Sequence, residues 1–118
     1  FELKSHILST MEILNNGQLV AMKLTPKMLK KTGGSFTEGE SAINLPLTVR
    51  GVKASILVKE DFNGPIKVSM RTKGDYNVAD IAIKNGGGGH KNAAGYKSKD
   101  SFDKTYKNAI SNMKSLFE

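Results

Sequence analysis

The chain reads as a single α/β domain with a mixed sheet of roughly four to five strands flanked by helices. Three observations predict it. At 118 residues there is length for one core and not for two ordinary domains. Segments with helical spacing alternate with segments of period-two alternation along the chain. The first and last segments carry helical apolar stripes, which gives the order α-β-α-β-β-α-β-α expected of a sheet covered by helices.

Leu3, Ile7, Met11 and Leu14 fall at helical spacing and stop at Asn15-Asn16-Gly17, so an amphipathic helix is predicted from the start to Leu14. Gln18 to Thr25 holds Leu19, Ala21 and Leu24 and reads as a strand. Thr25-Pro26 is a cap followed by a proline at the first helical position, which predicts a short helix over Pro26 to Lys31. Gly33 to Glu40 reads as a glycine-, serine- and threonine-rich loop, and Ser41 to Val49, with Pro46, is ambiguous. Val52, Ala54, Ile56 and Val58 alternate, as do Ile66, Val68 and Met70, with Asp61-Phe62-Asn63-Gly64 between them. That pattern predicts a β-hairpin. Asn77 can cap a short helix bearing Val78, Ile81 and Ala82, Tyr96 and Lys97 form a last short strand, and Asp100 or Ser101 caps a terminal helix with Phe102, Tyr106, Ala109, Ile110, Met113 and Phe117 on one stripe.

Composition excludes several functions. With 38% apolar and 25% charged residues the chain is globular in character, well away from disordered sequences. No apolar run approaches the roughly 20 residues of a spanning helix, and no signal-peptide pattern opens the chain, so the expectation is a cytoplasmic protein without a membrane partner. Zero cysteines remove disulfides, thiol nucleophiles and thiolate metal sites together. The net charge of +7 favours anionic partners. It is spread evenly, with seven basic and four acidic residues in 1–58 and eleven and seven in 59–118. Such a spread suits a modest phosphate-facing patch, not a long duplex track. Because the sequence opens on Phe1 with no initiator methionine and no lead-in to its first helix, we expect a piece of a longer protein.

Two constellations carry candidate chemistry. Gly86, Gly87, Gly88 and Gly89 stand together directly before His90. Four residues without Cβ atoms let backbone approach a ligand closely, and consecutive amides can converge on an anion, the more so if Lys91, Asn92, Ala93 and Ala94 begin a helical turn that Gly95 ends. A flexible surface linker is the plain alternative, although such linkers are usually diluted with serine. The run is neither a Walker loop, since Lys91 stands where a glycine is required, nor a spaced dinucleotide fingerprint. His90 can bond a phosphate, stack on a base, titrate near neutral pH or serve structure alone. No second member of a nucleophile pair stands near it, and no Gly-x-Ser-x-Gly elbow supports a triad. On the strand from Ile66, alternation sets Lys67, Ser69, Arg71 and Lys73 opposite the core face. Arg71 is one of only two arginines against sixteen lysines, and its planar fork suits phosphate contact or base stacking. A solvated strand face is the competing reading. His6 and His90 lie far apart in sequence, so no metal centre is indicated.

Gly86-Gly87-Gly88-Gly89-His90-Lys91-Asn92-Ala93-Ala94-Gly95 resembles the glycine-histidine signature of the DHH-associated domain, the C-terminal half of DHH-family phosphoesterases. Val68-Ser69-Met70-Arg71-Thr72-Lys73-Gly74 resembles that family's Ser-x-Arg strand, and Glu40-Ser41-Ala42-Ile43-Asn44 its Glu-led segment before the hairpin. The likeness spans essentially the whole chain in order. Within the family, Lys-Asn-Ala-Ala-Gly looks most like the branch of bifunctional oligoribonucleases (nanoRNases) and pAp phosphatases. Cyclic-di-AMP phosphodiesterases, RecJ-type exonucleases and a non-catalytic RNA-binding module of the alanyl-tRNA synthetase type are the alternatives. The resemblance implies two lobes: an N-terminal DHH domain holding two manganese ions through Asp and His ligands, and a C-terminal lobe that grips short RNA oligonucleotides or phosphorylated adenosine nucleotides. It assigns substrate contact to Ser69, Arg71, Gly86 to Gly89 and His90, with Lys91 and Asn92 as neighbours, and it leaves Glu40 between ligand contact and holding the loop. The Asp-His-His metal motif is absent from these 118 residues. The resemblance therefore implies that this chain binds no cofactor itself, that manganese belongs to the other lobe, and that the chain alone is inactive as a hydrolase.

Overall fold

The computed structural model describes residues 2–60, 62 and 64–118. Its elements are α1 (Glu2–Ser9), β1 (Glu12–Leu14), β2 (Leu19–Leu24), α2 (Pro26–Thr32), α3 (Phe36–Glu40), β3 (Ala54–Glu60), β4 (Ile66–Thr72), α4 (Ala79–Lys84), β5 (Gly88–His90), β6 (Ala93–Ser98) and α5 (Phe102–Lys114). The α/β class holds. The sheet has six strands in the order β1-β2-β3-β4-β6-β5, with β2 and β3 parallel and every other pair antiparallel.

One face of the sheet is sealed. Leu19, Ala21, Ala54, Ile56, Val58, Ile66, Val68, Met70, Ala94 and Tyr96 all point to it and meet Val78 and Ala82 beside α4 and Tyr106, Ala109 and Met113 of α5. The other face is covered only over β2 and β3. There Val20, Met22, Leu24 and Leu57 pack against Leu3 and Ile7 of α1, Leu29 of α2, and Ala42 and Ile43 of a 3-10 turn. Val52, expected on the same face as Ala54, lies before β3 and joins this second cluster.

Caps locate several elements where the sequence placed them. Thr25 accepts a hydrogen bond from the Met28 amide at the start of α2, with Pro26 in its first turn. Ser101, not Asp100, accepts from the Lys104 amide at the start of α5. Asn77 Oδ1 accepts from the Ala79 and Asp80 amides ahead of α4. The hairpin β3–β4 forms in register Ala54 to Thr72 through Glu60 to Ile66; of its predicted turn, Asp61 and Asn63 lie outside the described residues.

Three expectations fail, and the segment left ambiguous takes a definite form. The first helix ends at Ser9 instead of Leu14: the Thr10 hydroxyl donates to the Ile7 carbonyl and accepts from the Lys23 amide, which stops the helix and lays the next residues beside β2 as β1. The helical spacing of Met11 and Leu14 was coincidental, with Ile13 between them 67% exposed. The glycine-rich loop contains α3, because Ser35 accepts from the Glu38 amide and Gly39 lies against Leu24 and Ile7, where a Cβ would come within 2.6 Å of a Leu24 methyl carbon. The ambiguous segment becomes two 3-10 turns, Ser41–Asn44 and Pro46–Thr48. Residues 91–94 form no helical turn: Ala93 and Ala94 begin β6 and pair with Arg71 and Met70. Sheet pairing overrides the helix preference of two alanines.

Candidate nucleotide-binding face

The uncovered half of the second face, over β4, β6 and β5, gathers most of the residues singled out above. Directly opposed residues in antiparallel strands share a face, so the registers build it row by row. Arg71 stands beside Ala93, and Ala93 beside His90. One row along, Ser69 stands beside Gly95, and Gly95 beside Gly88. Arg71 and His90, 19 positions apart in sequence, thus lie two strands apart, about 10 Å. Between them is a floor of small residues, low enough for a flat group to lie on the sheet.

The side chains at its edge have free hydrogen-bonding capacity. Arg71 is half-buried and donates one Nη1 bond to the Met70 carbonyl at 2.9 Å, which fixes the guanidinium and leaves its remaining N–H groups available. His90 is exposed and its imidazole makes no hydrogen bond among the described residues. Ser69 is only 6% exposed, yet its hydroxyl has no partner among the described residues. Next to Arg71 on β3, the Ser55 hydroxyl is fully buried and also unpartnered.

The four glycines do three different jobs. The Gly86 and Gly87 amides donate to Ile83 and Ala82 carbonyls at 3.1 and 2.7 Å, closing the end of α4. These two amides are therefore already engaged. Gly87 and Gly89 allow close crossing of β6: a Cβ on Gly87 would sit 2.1 Å from the Gly95 carbonyl oxygen, and one on Gly89 2.6 Å from the Ala93 carbonyl oxygen. Positive φ occurs at Gly86 and Gly89, at 84° and 143°. Gly88 needs neither, since a Cβ there would meet nothing within 4 Å. It lies on the edge strand, facing the open side. Nothing in the fold accounts for a glycine at that position.

Lys91 and Asn92 stand in the β5–β6 turn, away from the floor. Lys91 Nζ pairs with Asp75 at 2.6 Å, and Asn92 Nδ2 donates to Thr72 Oγ1 and the Gly74 carbonyl at 2.9 and 3.1 Å. Both tie the turn to the end of β4. Lys73 is likewise engaged, donating to the Leu47 and Val49 carbonyls.

Glu40, at the end of α3, reaches over the same face. Its Oε1 accepts from Lys59 Nζ at 2.6 Å and from Lys67 Nζ at 3.1 Å. The Lys59 hydrogen bond holds the Glu40 carboxyl below its ordinary value of 4.5, burial opposing. Burial of Lys59, whose side chain is 0% exposed, pushes its ammonium below the usual lysine range, with Glu40 opposing. The family resemblance had marked Glu40; nothing in the strand alternation announced that Lys59 is its buried partner.

Among the described residues no group of three or more His, Cys, Asp or Glu stands together to hold a metal ion. His6 lies on α1 and His90 on β5. Among the described residues no helix is long and apolar enough to cross a membrane.

The domain is thus an α/β sheet sealed on one side and left open over small residues on the other, with an arginine, a histidine and lysines around the opening. The chain belongs to the DHHA1 domain family, whose model matches residues 16–118. Two curated relatives are each named bifunctional oligoribonuclease and PAP phosphatase NrnA. That of Mycoplasma genitalium is 38% identical over 80 residues, 67% of this chain and 24% of the relative. That of Thermus thermophilus is 33% identical over 95 residues, 80% of this chain and 28% of the relative. The chain thus spans about a quarter of the length of these relatives. Among solved structures, an exopolyphosphatase-related protein from Bacteroides fragilis superposes with a TM-score of 0.88 at 26% identity, over 98% of this chain and 35% of that one. A pGpG-specific phosphodiesterase, PggH, from Vibrio cholerae shares the fold, with a TM-score of 0.65 at 18% identity, over 96% of this chain and 38% of that one.

Proposed function

We propose that this chain is the substrate-gripping lobe of a two-lobed, manganese-dependent phosphoesterase that hydrolyses very short oligoribonucleotides and pAp. The observation that carries the reading is the convergence of Ser69, Arg71, Gly88 and His90 on one open face, from strands distant in sequence. The names of the two curated relatives supply the substrate class. Arg71 and His90 take the terminal phosphate, Ser69 bonds ribose or phosphate, and the base or sugar lies over Gly88 and Gly95. Lys91 and Asn92 act indirectly, by fixing the turn that presents His90. Glu40 positions the lysines beside the floor. The manganese ions belong to a DHH lobe outside this chain, where they would activate water for attack on phosphorus.

Titrating the chain with AMP and pAp while following backbone and side-chain NMR shifts tests the reading. The expected result is a contiguous set of shifts at Ser69, Arg71, Gly88 and His90, and binding about tenfold weaker in Arg71→Ala, the loss expected for one charge-assisted contact. Shifts confined to other surfaces would sink the assignment. A chain that ignores mononucleotides but binds long structured RNA would instead be a non-catalytic RNA-binding module.

A further inference from the structure

Three lysines stand in one row that runs from the covered to the open half of this face: the buried Lys59 on β3, Lys67 beside it on β4, and Lys97 beside that on β6. Side chains directly opposed in neighbouring strands are about 5 Å apart at Cβ, and like charges so placed repel. Among the described residues one carboxylate answers them. Glu40 is shared between Lys59 and Lys67, and Lys97 is exposed with no ion pair among the described residues. A row of three ammonium groups that shares a single carboxylate among the described residues works against folding, and rule-breaking of this kind collects at functional sites.

The surroundings have room for a ligand. A hollow of about 300 Å³ separates Lys67 and Lys97 from Gly86, Gly87 and Gly95. A second, of about 230 Å³, is bounded by the same two lysines with Phe36, Gly64 and Pro65. Phe36, half-buried and with Lys59 Nζ 5.2 Å from its ring centre, is the aromatic member of this second lining, and aromatic rings at such sites stack bases. Along β4, Lys67 is four residues from Arg71, about 13 Å, and between them the unpartnered Ser69 hydroxyl faces the same side. One phosphate cannot touch both ends. A chain of nucleotides can.

We propose that Lys67 and Lys97, with Phe36, form a second subsite that binds a phosphate and base of the oligoribonucleotide at least one nucleotide step from the end held by Arg71 and His90. The inference rests on the nucleotide-binding reading above and adds a length preference to it. Glu40 holds Lys67 in place when the subsite is empty, and the incoming phosphate adds negative charge beside Lys67 and Lys97.

Affinities of the chain for AMP and for 5′-phosphorylated triadenylate, measured by calorimetry over a range of salt concentrations, decide the matter. The parent is expected to bind triadenylate roughly tenfold or more tightly than AMP, with a salt slope steeper by about 0.7 per added phosphate contact. Lys67→Gln with Lys97→Gln should remove the tenfold increment and the extra slope while AMP affinity stays within about twofold. Phe36→Ala should lower triadenylate affinity and leave the slope. If the double variant fails to fold, Lys97→Gln alone, at an exposed position, should still lose part of the slope. Equal losses for both ligands, or none for triadenylate, would overturn the subsite. A parent that binds neither ligand would overturn the underlying reading instead.

Discussion

The two faces of the sheet are built from the same strands and closed by different means. On the sealed face, Ile56, Val58, Val68 and Met70 are fully buried beneath α4 and α5, so each strand residue there is fixed by its packing. On the other face α1, α2 and a 3-10 turn cover β2 and β3 and stop. Beyond that edge the residues are Ser69, Gly88, Ala93 and Gly95, rimmed by Arg71, His90 and lysines. The difference separates residues the fold requires from residues the fold merely permits. Only the second group is free to be selected for a ligand.

Substitution inside the glycine run is the harshest way to break this distinction. Gly87 lies next to the open floor but belongs with the residues the fold requires: its amide closes α4, and a Cβ would press on Gly95 and Tyr96 backbone that cannot yield cheaply. Gly87→Ala should cost about 3 kcal/mol or more, a drop in thermal midpoint of roughly 10 °C or greater for a domain of this size. A midpoint within a degree or two of the parent would show that β6 has room the geometry denies.

Glu40 tests the border between the covered and uncovered halves. Removing its charge takes from the fully buried Lys59 its carboxylate partner among the described residues, yet the Glu40 side chain is itself 36% exposed, which softens the loss. Glu40→Gln should therefore cost about 2 kcal/mol at neutral pH, below the range for fully buried pairs. The pH dependence has a definite sign. Because the folded carboxyl titrates below 4.5, its stabilisation is complete above that value and fades as pH falls through the folded pKa. The gap between parent and variant, measured by thermal unfolding from pH 7 to pH 3, should close toward the acid end. A gap that stays constant would mean Glu40 contributes packing and not charge.

Sequence made the sealed face legible and the open face only half so. Alternation in Ile66, Val68 and Met70 and the helical stripe of α5 record burial directly, and burial by one sheet face or one helix face leaves a simple period. The open face leaves a weaker mark. Ser69 and Arg71 were found by parity on one strand, but their meeting with His90 and Gly88 depends on β6 lying between β4 and β5, an order no local pattern encodes. Ala93 and Ala94 invited a helical turn because their small size, needed where strands cross closely, is also what helices favour. Thr10 ended α1 through a hydrogen bond to Lys23, thirteen positions away, invisible to any window of sequence. Glu40 was marked without a role because its partner, a lysine buried on a strand, looks in sequence like any surface lysine.

Gly88 gives the smallest effect on stability and the sharpest on function. A methyl group there meets nothing within 4 Å, and its φ lies outside the left-handed region, so Gly88→Ala should leave the thermal midpoint within about 2 °C of the parent, as for substitutions away from packed contacts. The same methyl group rises from the edge-strand end of the small-residue floor, one row from Arg71 and His90. It should weaken AMP and pAp binding by roughly tenfold or more, the cost of holding a flat ligand off the surface it lies on. Unchanged binding would place the nucleotide elsewhere and leave the glycine unexplained. Loss of stability together with binding would move Gly88 to the residues the fold requires, beside Gly87, and the open face would have to be redrawn around Ser69, Arg71 and His90 alone.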